Sequence, residues 1–349
     1  MSETVVQIFR LSFIGIFNFF AAILLVPLFF KLVVRFNLRK KIYKEDAPVF
    51  QSLHSKKQGT PTMGGLIFLL AVLLTTSIFY LGDKLKIEFL SFFNFVNRRE
   101  TFLPLFAFFF SGFIGFLDDL FGLKANSKRT GLRIKEKLIL YTSLAILGAW
   151  WFVAKLNFNF INLDSLFFFV GTFWFIFYFI FVFLAVSFSA NETDGLDGLL
   201  AGISLSILFA HLIIAFLNQD YHLAAFISSL IGSLTAFLWF NVYPAKFFMG
   251  DTGSMSLGVT IAILSFLSGT TLLLPLMAPI FVLESGSVIL QVLSKKIRKK
   301  KIFLSTPIHH HFEAKGLPEP TIVFRFWVVN AIGSILATVI YLVIKFYGS

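Results

Sequence analysis

The stretch FLPLFAFFFSGFIGFLDD, residues 102–119, is an uncharged apolar run that ends on two adjacent carboxylates, Asp118 and Asp119. The run from Phe102 to Leu117 is long enough to cross a bilayer as a helix. A carboxylate at the centre of a membrane helix costs roughly 2.5–3.5 kcal/mol, and less toward the headgroups. Two of them at such a junction are either an interfacial helix stop or part of a site. Asp194, Asp197 and Asp251 occupy the same kind of position at the ends of other apolar runs. The rest of the chain therefore reads as a scaffold that brings these junctions together.

Of the 349 residues, 57% are hydrophobic, and the mean hydropathy is +0.86. A soluble domain cannot hide that much apolar surface, so the expected fold is an all-α polytopic membrane protein, one transmembrane domain over residues 1–349. The 50 Phe residues are apolar and large enough to serve as lipid-facing filler, and their excess carries no functional weight. Cys is absent, which excludes disulfides and thiolate metal sites. The net charge of +12 is gathered in a few loops, a pattern that sets topology and meets membrane lipid rather than nucleic acid. The first apolar stretch is too long for a signal-peptide core and is expected to be retained.

Apolar runs fall at about 9–34, 64–81, 101–117, 138–154, 166–186, 198–217, 223–241, 254–272, 273–293 and 325–346, giving about ten transmembrane helices. Pro275 and Pro279 should bend or break the ninth. An even count puts both termini on one side. The loops at about 35–63, 118–137, 187–197, 242–253 and 294–324 then share the other side. These loops carry most of the Lys and Arg, including the run Lys295–Lys301, so the positive-inside rule makes them cytoplasmic and both termini periplasmic. The 187–197 segment has no Lys or Arg and gains its side only by alternation. The protein is expected to be multi-pass, with the acids and the His309-His310-His311 run on the cytoplasmic face.

Each candidate has a bland alternative. Thr60 can cap the second helix with Pro61 at its first position, and the free N–H groups there, with Lys57 beside them, would welcome a phosphate. Positive-inside charge and capping explain the same residues without a ligand. Asn191-Glu192-Thr193-Asp194-Gly195-Leu196-Asp197-Gly198 holds three carboxylates and no cation. On a helix Asp194 and Asp197 share a face; with glycines between them the backbone can instead approach a ligand closely. Asp251 opens a helix and could be a cap alone. Phe247 and Phe248 could stack on a base or anchor at the interface. In an extended segment His309 and His311 point one way and His310 the other. No His-Glu-x-x-His helix is present, so donation to phosphate fits these histidines better than zinc. Glu284, inside the ninth run, is a candidate site residue or a buried hydrogen-bond partner. Carboxylates alone would repel a phosphate ester. With Mg²⁺ and lysine between them they make a phosphoryl-transfer centre.

In order along the chain, Gly-Thr-Pro-Thr-Met-Gly-Gly at 59–65, the pair 118–119, Thr-Asp-Gly-Leu-Asp-Gly at 193–198, Phe-Met-Gly-Asp-Thr-Gly-Ser at 248–254 and Thr-Pro-Ile-His-His-His-Phe-Glu at 306–313 resemble the phospho-N-acetylmuramoyl-pentapeptide transferases, a branch of the polyprenyl-phosphate N-acetylhexosamine-1-phosphate transferases. The resemblance spans about residues 50–315. It implies Mg²⁺-dependent transfer from UDP-MurNAc-pentapeptide to undecaprenyl phosphate, giving lipid I and UMP for peptidoglycan synthesis, by a homodimer. It further implies Asp251 as a metal ligand with Asp118 beside it, and Asp118 or Asp119 handling the lipid phosphate. His309, His310 and His311 would lie at the diphosphate, and Lys135 would face the phosphates. Lys57, Thr62, Asn191, Asp194, Gly195, Leu196, Asp197, Asn241 and Phe248 would line the nucleotide pocket, with Phe248 on uracil. Glu192 and Leu200 depart from the family's usual apolar and small residues. An insertion after Asp119 leaves open which of Lys124 and Lys128 matches a family lysine. Two other readings stay on the page: transfer of N-acetylglucosamine phosphate by the same chemistry, and an ion-coupled transporter that uses the acids as relays.

Overall fold

A computed structural model describes residues 2–36, 57, 59–97, 100–124, 131–158, 160–163 and 166–347. Nine helices among the described residues are long and apolar enough to cross a membrane. They are α1 (Glu3–Phe36), α2 (Gly65–Lys84), α4 (Phe102–Lys124), α5 (Ile134–Leu156), α6 (Gly171–Thr193), α7 (Leu199–Leu217), α8 (Tyr221–Asn241), α9 (Gly250–Leu267) and α13 (Glu319–Tyr347). The other helices are α3 (Glu88–Phe93), α10 (Leu274–Met277), α11 (Pro279–Ile297) and α12 (Ile308–Ala314). The architecture is that of an all-α polytopic membrane protein. A two-stranded hairpin, β1 (Phe160–Leu163) with β2 (Leu166–Phe169), is added between α5 and α6.

The ninth apolar run is not one span. It is α10 and α11, separated at Ala278, whose φ of −126° and ψ of 56° are not helical. Pro279 opens α11 and cannot donate a backbone N–H across the break, the physical reason for the interruption. Together the two pieces return the chain from one end of the bundle to the other.

α9 is the hub. It packs on α2, α4, α6 and α7, and every residue from Thr252 to Phe266 is buried. Lipid tails are as apolar as leucine, so helices associate in a bilayer through close approach of small residues and interhelical hydrogen bonds. α9 supplies the small residues: Gly253, Ser254, Ser256, Gly258, Thr260, Ala262 and Ser265. The tightest crossing is with α4. A Cβ added to Gly115 would lie 2.2 Å from the Asp251 carbonyl oxygen, so only glycine lets the two backbones touch. That contact places the Asp118–Asp119 pair, one turn further along α4, beside the first turn of α9.

Connections alternate between the ends of the bundle. The α4–α5, α6–α7 and α8–α9 junctions, the start of α2 and the start of α13 meet at one end. The hairpin, α3 and both chain ends lie at the other, where Arg10 donates to the Asn94 carbonyl at 2.6 Å and Lys345 to Asn218 at 2.6 Å. The expected 187–197 loop shrinks to the turn 194–198, because α6 stays helical to Thr193. Likewise α4 continues past the acid pair to Lys124, so Asp118 and Asp119 sit within a helix rather than at its end.

Candidate active site

Lys137, in the first turns of α5, joins two of the acids. Its Nζ lies 2.5 Å from Asp118 Oδ2 and also pairs with Asp251 Oδ2. Asp118 is buried, and its Oδ1 accepts the Leu132 backbone N–H. Asp251 is the more open acid, its side chain 21% exposed against 8% for Asp118. Asn191, at the end of α6, donates to Asp251 Oδ1 at 3.1 Å and to Ser254 Oγ at 2.9 Å. One cluster thus draws on α4, α5, α6 and α9.

The adjacent acids do different work, as side chains about 100° apart on a helix must. Asp119 turns into the start of α9. Its Oδ1 accepts from the Asp251 N–H at 3.1 Å, and its Oδ2 from the Thr252 N–H at 3.0 Å and the Thr252 hydroxyl at 2.7 Å. A helix start leaves such N–H groups without intrahelical partners, and a carboxylate there is favoured by the dipole. Asp119 is therefore a cap supplied from a neighbouring helix, and it fixes the backbone that carries Asp251.

A second group lies around the 194–198 turn. Lys57 Nζ contacts Asp197 Oδ1 at 2.7 Å and Glu319 Oε1 at 2.5 Å, and stands 6.0 Å from the Phe248 ring centroid. Burial opposes its ammonium, but Asp197 and Glu319 outweigh this and raise its pKa above the ordinary lysine value. Glu319 also accepts the Asp197 N–H at 2.7 Å, while Asp197 Oδ2 accepts the Ala245 N–H at 3.0 Å. Asn241 is spent on backbone: its Oδ1 accepts from Gly198 at 3.0 Å and its Nδ2 donates to the Phe247 carbonyl at 2.8 Å. Leu196 is buried beneath the turn, and Asp194 ends α6. Phe247 is core, packed among Phe29, Phe30, Phe237 and Phe240; Phe248 is half-buried beside Lys57.

The entry to α2 differs from the capping expectation. The helix starts at Gly65, and residues 61–65 pair with residues 248–249 through Phe248 N–H to Pro61 O (2.8 Å), Gly64 N–H to Phe248 O (2.8 Å) and Gly65 N–H to Met249 O (2.9 Å). Thr60 does not cap, Pro61 is not a helical position, and the donors expected to meet a phosphate are already used by carbonyls. Thr62 is buried in this strap.

The histidines are helical, on α12, rather than extended. His309 and His310 sit side by side, ring centroids 4.1 Å apart. A Cβ on Gly195 would lie 2.1 Å from His309 Nε2, so the glycine is what admits the imidazole against the 194–198 turn. His311 turns outward, where its Nδ1 accepts the Leu304 N–H at 3.1 Å; burial, then Lys315, lower its pKa.

Lys135 lies on the exposed side of α5, away from the Lys137 cluster, and Lys128 falls outside the described residues. Lys137 and Glu319 are the two site-facing residues that sequence reasoning passed over. Their charge was visible, but nothing in the spacing says which loop lysine turns inward or what the start of the last helix faces.

Among the described residues no group of three or more His, Asp or Glu could hold a metal by itself. Asp118 and Asp251 nonetheless present oxygens to one shared cation, the Lys137 ammonium. Two hard carboxylates of that kind suit Mg²⁺, which keeps waters and takes substrate phosphate oxygens for its other positions.

Residues 101–269 match the family described as Glycosyl transferase family 4, and residues 57–69 match Phospho-N-acetylmuramoyl-pentapeptide-transferase signature 1. A phospho-N-acetylmuramoyl-pentapeptide-transferase of Caldanaerobacter subterraneus is 36% identical over 330 residues, covering 93% of this chain and 96% of the relative. One from Listeria welshimeri is 38% identical over 329 residues, covering 91% and 94%. One from Sulfurimonas denitrificans is 36% identical over 308 residues, covering 82% of each.

Proposed function

The chain belongs to the phospho-N-acetylmuramoyl-pentapeptide-transferase family, and from that membership we infer how its residues divide the reaction. The enzyme transfers phospho-N-acetylmuramoyl-pentapeptide in the membrane for peptidoglycan synthesis. The donor is UDP-MurNAc-pentapeptide and the acceptor undecaprenyl phosphate. An oxygen of the lipid phosphate forms a bond to the sugar-linked phosphorus, the bridging oxygen leaves with UMP, and lipid I is the product. The reaction takes place on the cytoplasmic face.

The observation that carries this reading is the Lys137 ammonium held between Asp118 and Asp251 at the first turn of a buried helix. Mg²⁺, held by Asp251 and Asp118, would neutralise diphosphate charge and stabilise the leaving group. Asp118 handles the lipid phosphate, orienting it or accepting its proton. Asp119 is unsuited to that role, because protonation would weaken the cap it gives α9. Lys137 offsets charge between carboxylates and phosphates. His309 and His310 donate to the diphosphate. Lys57, Asp197 and the 194–198 backbone hold the nucleotide, with Phe248 against uracil. The family resemblance also supports a homodimer.

The test is UMP release by purified protein, with lipid phosphate, UDP-sugar and Mg²⁺ omitted in turn. Release is expected only when all three are present. Asp251→Asn and Asp118→Asn should each abolish it in protein that still melts cooperatively. Turnover without Mg²⁺, or wild-type rates in both variants, would defeat the assignment. UDP-N-acetylglucosamine offered in the same assay should give no UMP.

A further inference from the structure

Two carboxylates that the mechanism above does not use lie against the imidazoles that it does. His309 Nδ1 is 3.0 Å from Glu284 Oε2, with both side chains fully buried. His310 Nδ1 is 2.6 Å from Glu313 Oε2. An ionised carboxylate only accepts, and with Glu284 and Glu313 in that form the proton of each pair lies on Nδ1. This leaves Nε2 as the nitrogen available to the site. In His309 that atom has no hydrogen-bond partner among the described residues and lies against Gly195 in the 194–198 turn.

The two pairs are built differently. Glu313 is three residues along the same helical turn as His310. Glu284 comes from α11, 25 residues away in sequence, and is deep enough that an unpaired charge there would be costly. Its Oε1 has no hydrogen-bond partner among the described residues, so its charge is answered there chiefly by the imidazole. Glu192, at the end of α6, is near enough to interact electrostatically with both Glu284 and His309, and is itself held by Ser285 Oγ at 2.5 Å. His310 is a further titratable neighbour. A neutral imidazole with Nδ1–H offers only a lone pair at Nε2, which a phosphate would repel. With a diphosphate bound, a carboxylate behind the ring can balance the second proton that Nε2 must carry to donate to phosphate oxygen.

We propose that Glu284 is a positioning residue for the transfer reaction: it keeps a proton on His309 Nδ1, fixes the ring plane and balances the imidazolium that presents Nε2–H to the diphosphate. The proposal rests on the reading of His309 as a diphosphate ligand. It assigns to α11 a direct link to the chemistry.

The test combines turnover with ¹⁵N spectra of the histidine side chains, His309 assigned by difference from His309→Asn, in wild type and in Glu284→Gln. Without substrate, the wild-type protein should show His309 protonated at Nδ1. Glu284→Gln, nearly isosteric, should melt like wild type, lose about 10–100-fold in kcat with little change in KM for the UDP-sugar, and change the His309 nitrogen signals. Glu284→Asp should recover part of the rate. In a His309→Ala background, Glu284→Gln should have no further effect. Wild-type kcat in Glu284→Gln, an unchanged His309 spectrum, or an equal loss in the His309→Ala background would overturn the proposal. A wild-type His309 carrying its single proton on Nε2 would do so even if no variant folds. Undiminished turnover in His309→Ala would instead remove the diphosphate role of His309, while the Nδ1 assignment could still be read from the spectra.

Discussion

Lys135 and Lys137 are two positions apart on α5, and on a helix that puts them on nearly opposite sides. The resemblance pointed to Lys135, but in the folded chain Lys137 reaches Asp118 and Asp251. Removing the shared ammonium leaves two carboxylates facing each other without a counter-ion, a loss in the ground state and a larger one once phosphate charge arrives. Lys137→Met should therefore lower kcat about 10²–10³-fold, the range for deleting a preorganised charge partner. Lys135→Met should stay within a few-fold. Initial rates of UMP release compare the two directly. Lys57 gives a pH expectation with a definite sign. Its folded pKa is raised, so its ion pairs with Asp197 and Glu319 stabilise fully below the ordinary lysine range and are lost only as pH rises above it. KM for the UDP-sugar should show no inflection attributable to Lys57 between about pH 6 and 9, given an ordinary lysine pKa of about 10.4. Glu319→Gln should raise that KM while changing kcat less, because Glu319 orders Lys57 and the Asp197 backbone without reaching the Lys137 cluster. The inward turns of Lys137 and Glu319, unlike that of Lys57, were not legible from a list of charged loop residues, since loop spacing does not fix side-chain direction.

The elements themselves were more legible than their ends. Nine of the ten expected runs appear as helices, because a bilayer leaves the backbone few other ways to satisfy its own hydrogen bonds. Of the two prolines expected to disturb the remaining run, Pro279 opens α11 at the break, while Pro275 is accommodated in the first turn of α10. Ends were misplaced where tertiary partners replaced local caps. α2 starts late because its preceding strap bonds to Phe248 and Met249, and α9 takes its cap from another helix. That borrowed cap makes a prediction about the element. Asp119→Ala should destabilise by about 1–2 kcal/mol, the range for losing a helix cap, seen as a lower melting temperature in detergent. It should lower UMP release as well, since Asp251 sits on the freed turn. Asp119→Asn keeps an acceptor but loses the charge that favours a helix start, so it should fall between wild type and Asp119→Ala in both measurements. Equal rates for wild type and Asp119→Ala would mean that the aim of Asp251 does not depend on this cap.

Across the whole molecule, the charge count and the fold agree on one geometry reached by separate routes. The basic 118–137 connection joins the two helices that carry Asp118 and Lys137, while Arg10 and Lys345 lie at the far end. The split ninth run is the delicate step in this agreement. Had α10 and α11 failed to carry the chain back across, α12 would lie at the wrong end and His309 could not touch the 194–198 turn, which it does. We expect the cluster end to be cytoplasmic, and the cysteine-free sequence makes that directly measurable, because any introduced thiol is the sole target for a maleimide. Lys246→Cys and Lys315→Cys, both exposed near the site, should be shielded from an impermeant maleimide in intact spheroplasts and labelled in inverted vesicles. Lys84→Cys and Lys155→Cys, exposed at the far end, should show the reverse. Labelling of Lys315→Cys and Lys155→Cys from the same side would mean that α10–α11 does not complete a crossing. The shared placement of the histidines and carboxylates, and the mechanism built on it, would then fail together.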